Sequence, residues 1–514
     1  MTDNKKNILC IAFLVLVGAI FYFATLKAVP GFVDLRTGLP NNPAQFGGIG
    51  PFESSHERSS YAMVLSMLDY HTVSLPKPLA DFGSPDVGYY NGKFYSFFPP
   101  GVAAMAYPFY ILGEHWNLPI AFAYFSMCIA AILALAMLFI ICRDIFGFSA
   151  PLSLLVVFIL GFGTIFLNYS ITLYQHIPTI FLMFVSYYSV WKFRKGGKFA
   201  WLWAAAVWAC YGLGPIFDYP NLILMLPILG YFFASAFSLA RTDDGLKIGL
   251  RNSFVASLVV LLLLGVAQIY YNRSVFGNWR IYSNALPRYD QTLGSPDLSN
   301  AATQAITRQK ESVASVFSEK NLPLGFYILT VSVDKGLFVY MPIFVLAILG
   351  MYAVRKKMTL EIWTLLAICA LNLILYSSFG DPWGGLSYGP RYLLPAIAVL
   401  PVFIGFWIQS LGKRRLWGSA ALFALFAYSS AVSLLGAVTR NVVFPKPEAL
   451  YADTSNKFWF NARYLKLNQS GSFAYNEFFS GRISLTEYYL ILFAAILILM
   501  LALLLLIPKY EYGD

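Results

Sequence analysis

Residues 119–141 read PIAFAYFSMCIAAILALAMLFII, without one charged side chain. As a helix rising 1.5 Å per residue, this run is about 34 Å long, enough to cross a hydrocarbon layer of about 30 Å. Runs of the same character recur at residues 7–27, 151–169, 171–192, 199–217, 219–240, 253–271, 336–354, 359–378, 392–411, 416–438 and 486–507. They are continuous, whereas a membrane β-barrel would show alternating segments of about ten residues. The chain has 514 residues, 58% hydrophobic and 12% charged, against about 25% charged in soluble domains. The pattern predicts one all-α polytopic membrane domain over residues 1–514, with about twelve transmembrane helices.

The short connections carry the orientation signal. Arg143; Lys192, Arg194, Lys195 and Lys198; Arg241, Lys247 and Arg251; Arg355, Lys356 and Lys357; and Lys413, Arg414 and Arg415 fall on one face of a twelve-span chain. With Lys5, Lys6 and Lys509 they place both termini in the cytoplasm. This accounts for much of the net charge of +11 without nucleic acid as a partner. The run behind Lys5 and Lys6 lacks a small-residue cleavage site and reads as a retained first span. Cys10, Cys128, Cys142, Cys210 and Cys369 lie in or beside apolar runs without metal-ligand spacing, so free thiols are expected.

The long connections, residues 28–118, 272–335 and 439–485, then share the extracytoplasmic face with the short 379–391. Within them Tyr61–Leu68 reads as an amphipathic segment. Val102–Gly113 is too short to span and reads as an interfacial helix, with Leu322–Val331 a second. The polar stretch 284–320 is the expected lid. The expected location is the cell membrane, with the chemistry facing outside the cytoplasm. The spans hold few ionisable groups; His176 and Asp218 fall near extracytoplasmic ends, which argues against a charged path through the bilayer.

Chemistry-bearing residues concentrate in the first loop. Glu57, between His56 and Arg58, reads as a general base for an acceptor hydroxyl or amine; its structural alternative is an acid favoured at a helix N-terminus. Arg391 and Lys335, at extracytoplasmic span ends beside glycines, could hold a phosphate at headgroup depth, as could Arg58. Snorkelling cations are the alternative. Asp86, Asp381, Trp383, Tyr388, His176, Tyr89 and Tyr95 are candidate substrate contacts. Asp69 reads as a second carboxylate or sugar-hydroxyl acceptor, with a solvated loop residue as the alternative, and Asp218 marks the tight turn between two helices. Most of the 18% aromatic content suits interfacial belts; the clusters Tyr89-Tyr90, Phe94-Tyr95 and Phe97-Phe98 suit sugar faces or an isoprenoid tail. No phosphate-cradling G-x-G-x-x-G or P-loop occurs, which favours a lipid-linked over a nucleotide-linked donor. No D-x-D cluster demands a metal, so neither metal nor cofactor is expected.

Glu57-Arg58-Ser59-Ser60-Tyr61-Ala62 resembles the first-loop D-E-x-R-Y-A motif of the GT-C glycosyltransferases, among them the protein O-mannosyltransferases and the lipid A aminoarabinose transferases. Asn91-Gly92-Lys93-Phe94-Tyr95-Ser96-Phe97-Phe98-Pro99-Pro100 resembles the N-G-x-x-Y-x-E-K-P-P element that follows it. Tyr174-Gln175-His176-Ile177-Pro178, Asp334-Lys335-Gly336-Leu337-Phe338 and Trp383–Tyr392 are similar to segments of bacterial members. The resemblance implies a GT-C-like fold, a catalytic acid at Glu57, a polyprenyl-phosphate sugar donor and inversion at the anomeric carbon. The acceptor would be a lipid, a glycan or a protein. The family's Glu-Lys before Pro-Pro is Phe97-Phe98 here, so the phosphate contact that the Lys implies must come from another cation, Arg391, Lys335 or Arg58. The alternative function is a transporter or flippase of a lipid-linked saccharide, which should show broken mid-span helices in corresponding halves.

Overall fold

The computed structural model describes residues 3–35, 50–242, 245–289, 317–442, 457–508 and 511. Helix α1 (Asp3–Thr25) leads into the first loop, which holds α2 (Ser55–Asp69), β1 (Ser74–Leu75), α3 (Lys77–Gly83), β2 (Val87–Tyr90), β3 (Lys93–Ser96) and α4 (Gly101–Glu114). Then follow α5 (Pro119–Asp144), α6 (Ala150–Phe162), α7 (Phe166–Ser170), α8 (His176–Lys195), α9 (Ala200–Phe217), α10 (Asn221–Leu224) and α11 (Leu226–Ala236). Strands β4 (Phe237–Thr242) and β5 (Gly245–Leu250) precede α12 (Asn252–Phe276) and β6 (Arg288–Tyr289). The remainder is α13 (Leu322–Thr330), α14 (Leu337–Tyr340), α15 (Phe344–Val354), α16 (Leu360–Ser377), α17 (Leu394–Gln409), α18 (Arg415–Val438), α19 (Asn461–Lys466) and α20 (Leu485–Leu506).

Eight helices among the described residues are long and apolar enough to cross a membrane. They include α1, α5, α9, α12, α16 and α20, with α17 and α18 each extended by a preceding turn. The expected spans 151–169, 219–240 and 336–354 are broken instead. The first parts into α6 and α7 at Gly163, whose ψ of 9° leaves the helix. The second parts at Met225, just before Pro227 in the first turn of α11, and ends in the β4–β5 hairpin. The third breaks between Tyr340 and Phe344, where Pro342 has no N–H for a helical bond. The α17 span is 83% buried and α12 only 11%: one lies inside the bundle, the other offers its apolar flank outward.

The all-α expectation is corrected by a four-stranded antiparallel sheet of order β1-β3-β2-β6, built from the connections 28–118 and 272–335. Its hairpin turns at Asn91 (φ 48°) and Gly92 (φ 79°), the left-handed pair of residues that a two-residue turn requires. Tyr89 pairs with Phe94 and Tyr90 with Lys93. The sheet's fourth strand comes from the connection 272–335, so the start of the expected lid is fastened to the first loop. Tyr289 pairs with Val87, and Ser283 Oγ donates to the Phe97 carbonyl at 3.0 Å. Most of the expected lid lies outside the described residues. The interfacial candidates form α4 and α13, and the Tyr61–Leu68 segment lies inside α2. Among the described residues no cysteine is disulfide-bonded.

Candidate functional site

Helix α2 begins with a reciprocal cap. Ser54 Oγ accepts the Glu57 N–H at 3.3 Å, and Glu57 Oε2 accepts the Ser54 N–H at 3.1 Å; this S-x-x-E pattern satisfies N–H groups the helix leaves orphaned. Glu57 Oε2 also accepts the Glu53 N–H at 3.0 Å and lies 3.3 Å from Ser54 Oγ; Oε1 accepts from the Tyr124 hydroxyl at 3.4 Å. Glu57 is 1% exposed. Burial, then the nearby Glu53 charge, pushes its carboxyl up to about 8 against these hydrogen bonds. The position identified as the base therefore gives one oxygen, Oε2, to the helix cap and leaves Oε1 facing Tyr124.

Glu53 is the acid that sequence reasoning passed over. Its side chain is 3% exposed. Oε2 accepts the Asn441 N–H at 2.6 Å, just beyond the end of α18. Oε1 faces Arg440 Nε at 3.7 Å, beyond hydrogen-bonding distance. Neither atom has a hydrogen-bond partner among the described residues. Lys27 Nζ donates to the carbonyls of Thr439 (2.6 Å) and Gly436 (3.3 Å). A cation at the end of α18 thereby satisfies terminal carbonyls and holds the turn that carries Arg440 and Asn441. Asn168 braces that turn as well, donating to the Asn441 side-chain oxygen at 2.9 Å.

Tyr174 joins this acidic corner to a cationic one. Its hydroxyl donates to Ser54 Oγ at 2.7 Å. His56 stacks on its ring (4.5 Å, 3°) and meets Phe98 edge-on at 3.6 Å. His176 lies parallel to the Tyr174 ring at 6.0 Å. The Arg391 guanidinium lies 5.3 Å from the Tyr174 ring and 5.2 Å from that of Tyr392, cation–π distances. Gly384 (φ 63°) makes room for it: a Cβ there would sit 3.0 Å from Arg391 Nε. His56 is 3% exposed, and neither ring nitrogen has a hydrogen-bond partner among the described residues. Burial, then Arg391, then His176 hold it well below the ordinary histidine range. Asp218, at the end of α9, accepts from Gln175 Nε2 at 3.2 Å; burial raises it to about 6, opposed by that bond and by Arg391.

The other predicted residues are scattered. Lys335 is buried and donates to the Ser387 carbonyl; Arg58 donates to the Ser84 carbonyl at 3.1 Å. Both cations are engaged by backbone, which leaves Arg391 as the cation gathered with His56 and His176. Tyr388 is fully buried and donates to the Val432 carbonyl at 2.6 Å. Tyr95 donates to the Val275 carbonyl at 3.0 Å, inside a small cluster with Phe276 and Leu286. Tyr89 packs on Phe94 in the sheet. Asp86 accepts from Ser55 Oγ at 2.6 Å and lies 3.9 Å from Arg288. Asp381 accepts the Gly385 N–H at 3.3 Å in the turn that carries Trp383, and its charge acts on Tyr392. Among the described residues no group of three or more His, Cys, Asp or Glu is placed to hold a metal. Signals for the missed residues were present: Glu53 stands four positions before Glu57, and His56 adjoins it.

No family model matches the chain, nor does any curated protein. Among solved structures it is similar to the oligosaccharyltransferase of Archaeoglobus fulgidus in its apo form, at 13% identity and TM-score 0.48, over 93% of this chain and 59% of that one. It is also similar to archaeal oligosaccharyltransferase AglB from Archaeoglobus fulgidus in complex with an inhibitory peptide and a dolichol-phosphate, at 12% identity and TM-score 0.42, over 96% of this chain and 56% of that one. The chain thus spans under three fifths of the length of these structures.

Proposed function

We propose that this chain is a membrane glycosyltransferase that moves a sugar from a polyprenyl-phosphate donor to an acceptor on the extracytoplasmic face. The observation that carries the reading is the junction at Tyr174, whose hydroxyl reaches the cap of the acidic first-loop turn while its ring meets Arg391 and His56. Transfer needs a base for the acceptor and a cation for the departing phosphate, and this junction assembles both kinds of group. Arg391 would neutralise the charge that develops on the phosphate as the sugar leaves. A neutral His56 keeps one N–H to donate to the same oxygens. A first-loop carboxylate takes the acceptor proton from the side opposite the leaving group, so the anomeric carbon inverts.

The same helices support an outward-facing site. Counting α8 and the broken pairs α6–α7, α10–α11 and α14–α15 with the long spans gives the twelve crossings. Helix α8 starts at His176 and ends at Arg194 and Lys195; α9 starts after Lys198 and ends beside Asp218; the α17 span starts at Arg391 and ends before Lys413. The acidic and cationic site groups lie at the ends opposite the basic loops. Basic loops face the cytoplasm, so the site faces outward, away from nucleotide sugars, with both termini inside.

The test is transfer of labelled sugar from a panel of polyprenyl-phosphate sugars to membrane extract by the purified chain. Wild type should transfer from at least one donor. Arg391→Ala should lower turnover about 100-fold, the scale of losing one charge-stabilising donor, and weaken donor binding. No transfer from any donor, with lipid-phosphate binding intact, would turn the reading to a transporter.

A further inference from the structure

Resting on the glycosyltransferase reading, we propose that Glu53 is the base, that it works with Arg440 to hold an acceptor hydroxyl, and that Glu57 is a positioning residue. Glu57 is anchored through Oε2, which accepts from the Glu53 and Ser54 N–H groups and the Ser54 hydroxyl; Oε1 meets only the Tyr124 hydroxyl at 3.4 Å, whose proton also reaches the Pro51 carbonyl at 3.0 Å. By accepting the Glu53 N–H, Glu57 fixes the backbone from which Glu53 projects. Glu53 is held by one oxygen on Asn441 and presents the other, Oε1, to Arg440 Nε at 3.7 Å. That separation is too long for a hydrogen bond, but it is the right side of a triangle. One hydroxyl oxygen placed about 2.8 Å from each atom donates its proton to the carboxylate and accepts the guanidinium N–H. A carboxamide nitrogen or an ammonium offers no lone pair to that N–H, so the pair favours a hydroxyl over either of these.

In the step, the hydroxyl proton passes to Glu53 Oε1 and the oxygen lone pair forms the bond to the anomeric carbon. The bond from that carbon to the phosphate oxygen breaks, leaving its electron pair on the lipid phosphate. Glu53 then releases the proton to solvent.

The experiment compares the full-length chain with its E53Q, E57Q and R440Q variants on a labelled polyprenyl-phosphate sugar, and assigns the product linkage by mass spectrometry. Glu53→Gln should lower kcat at least 100-fold, the range for losing a general base, with donor binding within twofold. Glu57→Gln should stay within about threefold, because glutamine also serves at this capping position. Arg440→Gln should raise the acceptor KM more than it lowers kcat. The product should be O-linked. Activity lost in the Glu57 variant but kept in the Glu53 variant would return the base to Glu57, and an N-linked product would overturn the acceptor hydroxyl. If wild type itself transfers nothing, the glycosyltransferase reading falls and takes this proposal with it; if wild type and both acid variants transfer equally, only the present assignment falls.

Discussion

Burial and the Glu53 charge make the Glu57 carboxyl bind its proton more tightly than a free one, against the cap's hydrogen bonds, which favour the charged form. For Glu57 the folded value of about 8 lies above the ordinary 4.5, so between those values the folded chain keeps a proton that the unfolded chain gives up. The stability this group contributes is complete below about pH 4.5 and is lost as pH rises through about 8. Glu57→Gln does not titrate. Its unfolding temperature should therefore gain on wild type as pH rises from 5 to 8.5, read by thermal unfolding in detergent; a gap that does not change with pH would contradict the buried, protonated carboxyl. At this scale the sequence made Glu57, His176 and Arg391 visible as chemistry. It could not show that Glu57 Oε2 accepts the Glu53 and Ser54 N–H groups, because a capping acid and a catalytic acid are the same residue type in the same loop.

Among the elements, the β2–β3 hairpin was legible in principle. Asn91-Gly92 between the aromatic-rich runs Val87–Tyr90 and Lys93–Ser96 is a strong hairpin signal, and the long apolar runs elsewhere in the chain drew the reading toward helices alone. Gly92→Val should place a β-branched side chain at φ 79°, costing about 1–3 kcal/mol. A fall in unfolding temperature checks this, and a wild-type melting curve would argue against the turn. The broken spans were less legible. Hydropathy does not register Gly163 or Pro342, whose effect is on backbone geometry and hydrogen bonding rather than on transfer free energy. The pairing of β6 with β2 joins residues some two hundred positions apart, and no local pattern encodes it.

Over the whole molecule, the basic loops and the site groups sit at opposite ends of the same helices. This predicts a labelling asymmetry. In intact cells, a membrane-impermeant thiol reagent should modify Lys320→Cys before α13, and should reach Lys356→Cys after α15 only once the membrane is permeabilised. Both positions are exposed. Equal labelling of the two in intact cells would overturn the orientation. By itself the sequence determined the membrane class and the long apolar helices, because apolar length and charge bias are local quantities. Only the tertiary structure decided which of those residues meet. Glu53 reaches Asn441 and Arg440, and Tyr174 reaches Ser54 and Arg391, because helices distant in the chain end side by side; a buried side chain's partners are set by that packing, not by its neighbours in sequence.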